Sequence, residues 1–413
     1  RAMAILQMLS EIGSGIRENS ETKQHRNPHE FRYCLFMSFA VLLILTIATS
    51  PAHAVDHVTL KRDGKEMELS GKVLVTAKDG GILLLAPDGA LWNIEPQEIG
   101  DHREDERPFT PLSPAEAGRK TLAELPPGFE IYSTSHYVIC HNTTRAYAQW
   151  VGALYERLFA AFTTYWKNRG FKLHDPELPL VVIVFATRDG YTKHVRDELG
   201  DNAEAIIAFY SLRTNRVSMY DLTGVDSLRR PGDKRGSAAQ INMMLSRPEA
   251  ETMVATIVHE ATHQLAFNCG LQTRFADIPL WVLEGLAVYF ETPDLSSSKG
   301  WRRIGDVNRP RLDHFREYLA RRPAKSLLSL ISDDKRFRDP RQALDAYAEA
   351  WALNYYLISQ KPKEFLAYME VMAAKKTLLT GPPEMRIKEF QAAFGNDLDR
   401  LDAEFVKFMQ RVR

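Results

Sequence analysis

The segment His259-Glu260-Ala261-Thr262-His263 sets two imidazoles four residues apart, with a carboxylate beside the first. On a helix, residues four apart share a face, so both imidazoles can reach one ion. Glu260 then leans over a water bound to that ion. This is the mechanical meaning of the H-E-x-x-H pattern, two ligands and a general base. A helix with two surface histidines in charge pairs would carry the same letters. Here, however, Val254, Ile257, Val258, Ala261, Leu265 and Phe267 surround the motif. Two histidines on a buried helix need partners, and one metal ion serves both.

Zinc is the expected cofactor. In catalytic sites it takes three protein ligands and keeps one position for water. The third ligand cannot follow the metzincin pattern, because Ala266 and Cys269 stand where that pattern has Gly and His. The better candidate is Glu284, a charged residue within the apolar run Leu280 to Phe290. A lone buried carboxylate is costly, and coordination removes the cost. A buried Arg or a helix terminus would also serve as its partner. Gly285 beside it permits close approach of another helix.

Certain elements must position these groups. Ser246 to Asn268 reads as one helix, with Ser246 and Glu249 as a capping box and Pro248 in the first turn. Asn268 and Gly270 supply its stop. Upstream, Leu180 to Phe185 reads as a buried strand. Residues 206–210 and 216–220 read as a hairpin about Thr214-Asn215, and Glu130 to Cys140 as one extended segment. A helix pattern runs from Thr144 to Arg169, and the chain is mostly helical from Glu249 onward. Strands first and helices later is the α+β order.

Residues 55–100 precede this large domain. Short apolar runs separated by Asp79-Gly80-Gly81 and Pro87-Asp88-Gly89 predict a small SH3-like β-barrel with an accessory role. Residues 101–128, charged and rich in proline, read as a linker, and the catalytic domain then spans 129–413. At the N-terminus, basic residues precede an apolar run from Tyr33 to Thr49, followed by Ala52-His53-Ala54. Residues 1–54 therefore read as an export segment, either a cleaved signal or an N-terminal membrane anchor. The expected location is periplasmic or extracellular. That compartment permits a bond between Cys140 and Cys269; two buried thiols are the other reading. The 413 residues carry 53 basic and 53 acidic side chains, which argues against nucleic acid as a partner. No feature specifies an oligomer.

His259-Glu260-x-x-His263 followed by Trp281-x-x-Glu284-Gly285-x-Ala287-x-Tyr289 resembles the gluzincin clan of zinc metallopeptidases, in the aminopeptidase-like arrangement of the two helices. The chain is similar, more closely, to exported bacterial proteins with a gluzincin-like domain of unknown function. The resemblance covers residues 205–357. It implies a zinc ion, a thermolysin-like fold and hydrolysis of a peptide or protein substrate, with Glu260 as general base. Tyr347 and the helix that follows it resemble the element carrying the oxyanion-stabilising tyrosine of the clan. The other reading of Tyr347 is a core aromatic beside Trp351, Tyr355 and Tyr356. By fold analogy, the strand Arg216 to Tyr220 would be the sheet edge that holds the substrate. Two departures stand out. Val288 occupies the place of the Asp that orients a ligand histidine in thermolysin, so that carboxylate must come from elsewhere. A Gly-x-Met-Glu-Asn segment, which binds a free α-amino group, is not evident. Two rival functions remain: a binding or scaffold protein on a peptidase fold, and a zinc amidase of cell-wall bonds. A purely structural site has no use for Glu260, which favours catalysis.

Overall fold

A computed structural model describes residues 54–292 and 304–413. The export segment 1–54 lies outside the described residues except for Ala54. Among the described residues no helix is long and apolar enough to cross a membrane.

The first sheet contains β1 (Ala54–Arg62), β2 (Lys65–Thr76), β3 (Ile82–Leu85), β4 (Leu91–Ile94) and β5 (Ile99–Pro108), in the order β4-β3-β2-β1-β5. β2 pairs with β1 up to Gly71 and with β3 from Lys72. A Cβ on Gly71 would stand 2.3 Å from the carbonyl oxygen of Leu85. Only glycine lets β3 approach where β2 changes partner. Val58, Leu60, Leu69, Ile82, Leu84 and Ile94 form a small core of their own.

This sheet corrects two expectations. It is not a closed barrel: β4 and β5 are its two edges. The cause is β5, which adds to the outer side of β1. The stretch read as linker also carries this strand and the helix α1 (Pro114–Glu124). β5 is nearly all exposed, so it has no buried face and shows no apolar alternation. Cross-strand contacts hold it, including His57 to Asp105 at 2.9 Å and His102 to Asp56 at 2.8 Å. α1 did have a local signature, because Ser113 and Glu116 form a capping box with Pro114 in the first turn.

The second sheet has the order β6-β7-β8-β10-β9. Its strands are β6 (Glu130–Ser133), β7 (Tyr137–His141), β8 (Leu180–Phe185), β9 (Ala208–Tyr210) and β10 (Val217–Tyr220). The segment read as one extended run folds back as the antiparallel pair β6–β7, with His136 in the turn. β8 is parallel to β7 and β10 and buried throughout, as its unbroken apolar run requires. β9 is antiparallel to β10 and forms one edge of the sheet, with β6 at the other. The strand expected at the edge, β10, is therefore interior. A hairpin puts one of its two strands outermost, and the local sequence does not say which.

Helix α2 (Arg145–Asn168) lies along one face of the sheet and α1 on the other; Gly152 meets Ile139 and Gly118 meets Val138. After α3 (Arg188–Leu199) and α4 (Ala238–Leu245) comes α5 (Glu251–Asn268), which packs on β9 and β10. The helix expected from Ser246 thus starts five residues later. Ser246 instead donates to the carbonyl of Asn242 and closes α4, and Pro248–Ala250 forms a short 3-10 turn. Gly270, at φ +81°, ends α5 as expected.

The helical half holds α6 (Leu280–Phe290), α7 (Arg309–Leu319), α8 (Ser326–Ser332), α9 (Lys335–Arg338), α10 (Ala343–Gln360), α11 (Pro362–Ala373), α12 (Pro383–Phe394) and α13 (Leu398–Met409). Every residue of α6 is buried. It lies against α5 and α10. A Cβ on Gly285 would stand 2.2 Å from Nδ2 of Asn354 and 2.6 Å from the carbonyl oxygen of Ala350. Asn354 meanwhile donates to the carbonyl of Trp281. Gly285 thus sets the α6–α10 distance, and with it the depth at which Glu284 sits. The described architecture is a mixed α/β one, compatible with the α+β class. Cys140 and Cys269 are both free and buried. Burial pushes their thiols up, to about 11 and about 12.

Candidate metal centre

The sheet and α2 fix α5 in place. Gln264 donates to the carbonyls of Val181 on β8 and Asn215 in the β9–β10 turn, at 3.1 and 2.9 Å. Asn215, in left-handed backbone at φ 62°, exchanges side-chain amide bonds with Asn268. The hydroxyl of Tyr155 on α2 donates to the carbonyl of Ile257. Breaking these buried ties would leave polar groups unpaired, so they favour one arrangement of helix against sheet, even though Oε1 of Gln264 has no partner among the described residues.

On α5 so fixed, His259 and His263 turn the same way. Their Nε2 atoms lie 3.1 Å apart. Glu284 comes in from α6, with Oε2 at 3.2 Å from Nε2 of His259 and Oε1 at 3.7 Å from Nε2 of His263. All three side chains are buried, and one ligand atom from each can lie within 4.8 Å of the others. Ligands about 2.0–2.1 Å from a tetrahedral ion stand about 3.3–3.4 Å apart, which these separations bracket. Oε1 of Glu284 is buried with no hydrogen-bond partner. Two nitrogens facing each other and an unsatisfied carboxylate oxygen are what a bound cation would resolve. His259, His263 and Glu284 could therefore hold a metal ion, and their donor set is compatible with zinc.

The protein's own charges polarise the pocket. Burial pushes the His259 pKa down, but the carboxylates of Glu284 and Glu291 outweigh it and the net shift is upward. Burial holds His263 low, and that effect wins. Glu284 would be raised by burial, yet its bond to His259 and the charges nearby hold it well below the usual carboxylate range.

Glu291 is the residue that the sequence reading missed. Its Oε2 lies 2.9 Å from Nδ1 of His259, and its Oε1 accepts from Nδ2 of Asn308 at 3.0 Å. Accepting the Nδ1 proton fixes the tautomer that leaves the Nε2 lone pair for a metal. Glu291 thus fills the role of the carboxylate missing at Val288. A local signal existed: Glu291 is seven residues after Glu284, two helical turns on and near the same face. Replacing Glu291 with Ala is expected to weaken zinc binding by about 10- to 100-fold. Competition against a chromophoric chelator measures this, and unchanged affinity would remove Glu291 from that role.

Glu260 points towards the sheet edge. Its Oε2 accepts the backbone N–H of Tyr210 on β9 at 2.9 Å. Tyr347 on α10 reaches the centre too, close to the Glu284 carboxylate. Burial and the Glu284 carboxylate keep this phenol protonated, so it remains a donor. Phe337 packs edge-on to its ring at 5.3 Å, and the Arg311 guanidinium lies 5.6 Å from the ring centroid. Of the five site residues expected from the sequence, His259, His263 and Glu284 stand together, Tyr347 lies close to Glu284, and Glu260 is buried on the helix of the histidines with its carboxylate on the Tyr210 N–H. Tyr289, by contrast, belongs to the core, where its hydroxyl meets that of Tyr165.

Comparison with known proteins adds one finding about this region. No curated protein matches the chain. Residues 253–379, which carry every residue of the centre named above except Tyr210, match a family described as "Protein of unknown function (DUF1570)".

Proposed function

We propose that this chain is a zinc-dependent hydrolase of peptide bonds, exported from the cytoplasm and built on a gluzincin-like catalytic domain. One observation carries the reading: three buried ligands converge, and Glu260, next to His259 on the same helix, is buried as well. A structural zinc site would need the ligands but not this base. The antiparallel edge strand next to the H-E-x-x-H helix supports the thermolysin-like assignment.

Bound zinc would supply a water of lowered pKa and polarise the scissile carbonyl. The other steps belong to the chain. Glu260 takes the proton from the attacking water and passes it to the leaving nitrogen. The Tyr210 N–H holds the carboxylate of Glu260 in position meanwhile. Tyr347 donates its hydroxyl to the developing oxyanion. β9, the true edge, offers main-chain groups to an extended substrate. Glu291 and Asn308 hold the His259 ring in its orientation.

The purified full chain is expected to bind one zinc ion and to cleave an unfolded protein such as casein. Cleavage should stop on chelation and return when zinc is restored. A zinc-loaded chain that leaves casein and a peptide library intact would defeat the peptidase reading. Release of amide products from cell-wall fragments would then redirect it to that substrate.

A further inference from the structure

Arg311 lies in the first turn of α7, where its backbone N–H is capped by the side chain of Asn308 at 3.2 Å. Asn308 in turn donates to Glu291, the carboxylate that orients His259. The Arg311 guanidinium lies 5.6 Å from the ring centroid of Tyr347, whose phenol lies close to Glu284. The cap thus fixes the Arg311 backbone, and the Tyr347 ring places its cation beside the centre. It is half-buried, yet among the described residues it makes no ion pair. Other partly buried arginines of the helical half do: Arg322 closes on Glu349 and Asp402, Arg336 on Glu349, and Arg386 on Asp277 and Asp334. Asp345, two residues before Tyr347, is engaged by His314 and Arg321.

A partly desolvated guanidinium with no counter-charge among the described residues favours an incoming anion, and its planar fork matches a carboxylate. The charge balance agrees. Glu260, Glu284 and Glu291 together leave one negative charge over after a dication is bound, which by itself would repel an acidic substrate. Arg311 offsets that charge on the Tyr347 side. We propose that Arg311 is a specificity-determining residue that binds a carboxylate of the substrate, so that the preferred peptides are acidic near the cleaved bond. The inference rests on the peptidase reading and names its substrate class. The carboxylate is either an Asp or Glu side chain or the chain's own C-terminus.

The test uses zinc-loaded full chain and matched peptides. One arm exchanges Asp or Glu for Asn or Gln around the cleaved bond; the other compares free with amidated C-termini. Binding is measured on the Glu260→Gln chain, so that it is read without turnover, and kcat and KM are measured on the chain with Glu260. The acidic peptide is expected to win by about tenfold or more, chiefly through binding and KM. With Arg311→Met the ratio should fall to near one, and Arg311→Lys should restore part of it. The arm that shows the preference identifies which carboxylate is bound. Equal binding of acidic and neutral peptides, no binding of any of them, or a preference that survives Arg311→Met would overturn the inference. Selective, Arg311-dependent binding without any cleavage would instead sink the peptidase reading and leave the carboxylate site standing.

Discussion

Replacing Glu260 with Gln is expected to lower kcat by about 10²- to 10⁴-fold while one zinc per chain remains bound. The side chain is nearly isosteric, so the ligands on the same helix face need not move. What is lost is the proton acceptor. The amide can still face the Tyr210 N–H through its oxygen, which keeps α5 and β9 together. Turnover and metal content are therefore separable here. An unchanged melting temperature and zinc content, with hydrolysis reduced to that extent, is the expected outcome. Loss of zinc together with activity would mean that Glu260 acts on the site's structure. Retained activity would remove it as the base.

The second large effect is on stability and lies in the helical half. Glu349 on α10 is fully buried and accepts from Arg336 at 2.7 Å, Arg322 at 2.8 Å and Ser326 at 2.7 Å. Arg336 also donates to the hydroxyl of Tyr318. Glu349→Ala would leave Arg336 buried with neutral partners only, while Arg322 would keep Asp402. Breaking one member of such a buried set costs about 3–5 kcal/mol, because the remaining charge stays desolvated. Denaturant unfolding of the zinc-loaded chain measures this, and a loss below about 1 kcal/mol would show that the site relaxes or admits water. Glu349 is two residues from Tyr347. The variant should therefore also loosen the phenol at the centre, although no metal ligand is touched.

The parts of the site legible in the sequence were the local ones. His259, Glu260 and His263 are set by helical spacing alone, and Glu284 by the anomaly of a carboxylate in an apolar helix. The strand at Leu180 to Phe185 announced itself by an unbroken apolar run. Glu291 had a local signal as well, but it ends an apolar stretch and resembles an ordinary solvent-facing terminus. The start of α5 was misplaced because Ser246-x-x-Glu249 is a sound capping signature that α4 and a 3-10 turn displaced.

What only the tertiary structure decided involves partners distant along the chain. Tyr210 meets Glu260 across 50 residues and through a backbone N–H, which every residue but proline carries and no side-chain pattern can flag. The exchange of edge between β10 and β9, and the addition of β5 to β1 in place of a closed barrel, are choices of strand order. Alternation and turn residues specify which segments are strands, not which neighbour each one takes. Arg311 is one arginine among many until α7 folds over α10. By itself the sequence determined a buried two-histidine helix with an adjacent carboxylate and a third candidate ligand. Packing decided how these groups are oriented, which strand borders them and which cation stands beside them, because long-range contacts depend on the whole chain's shape.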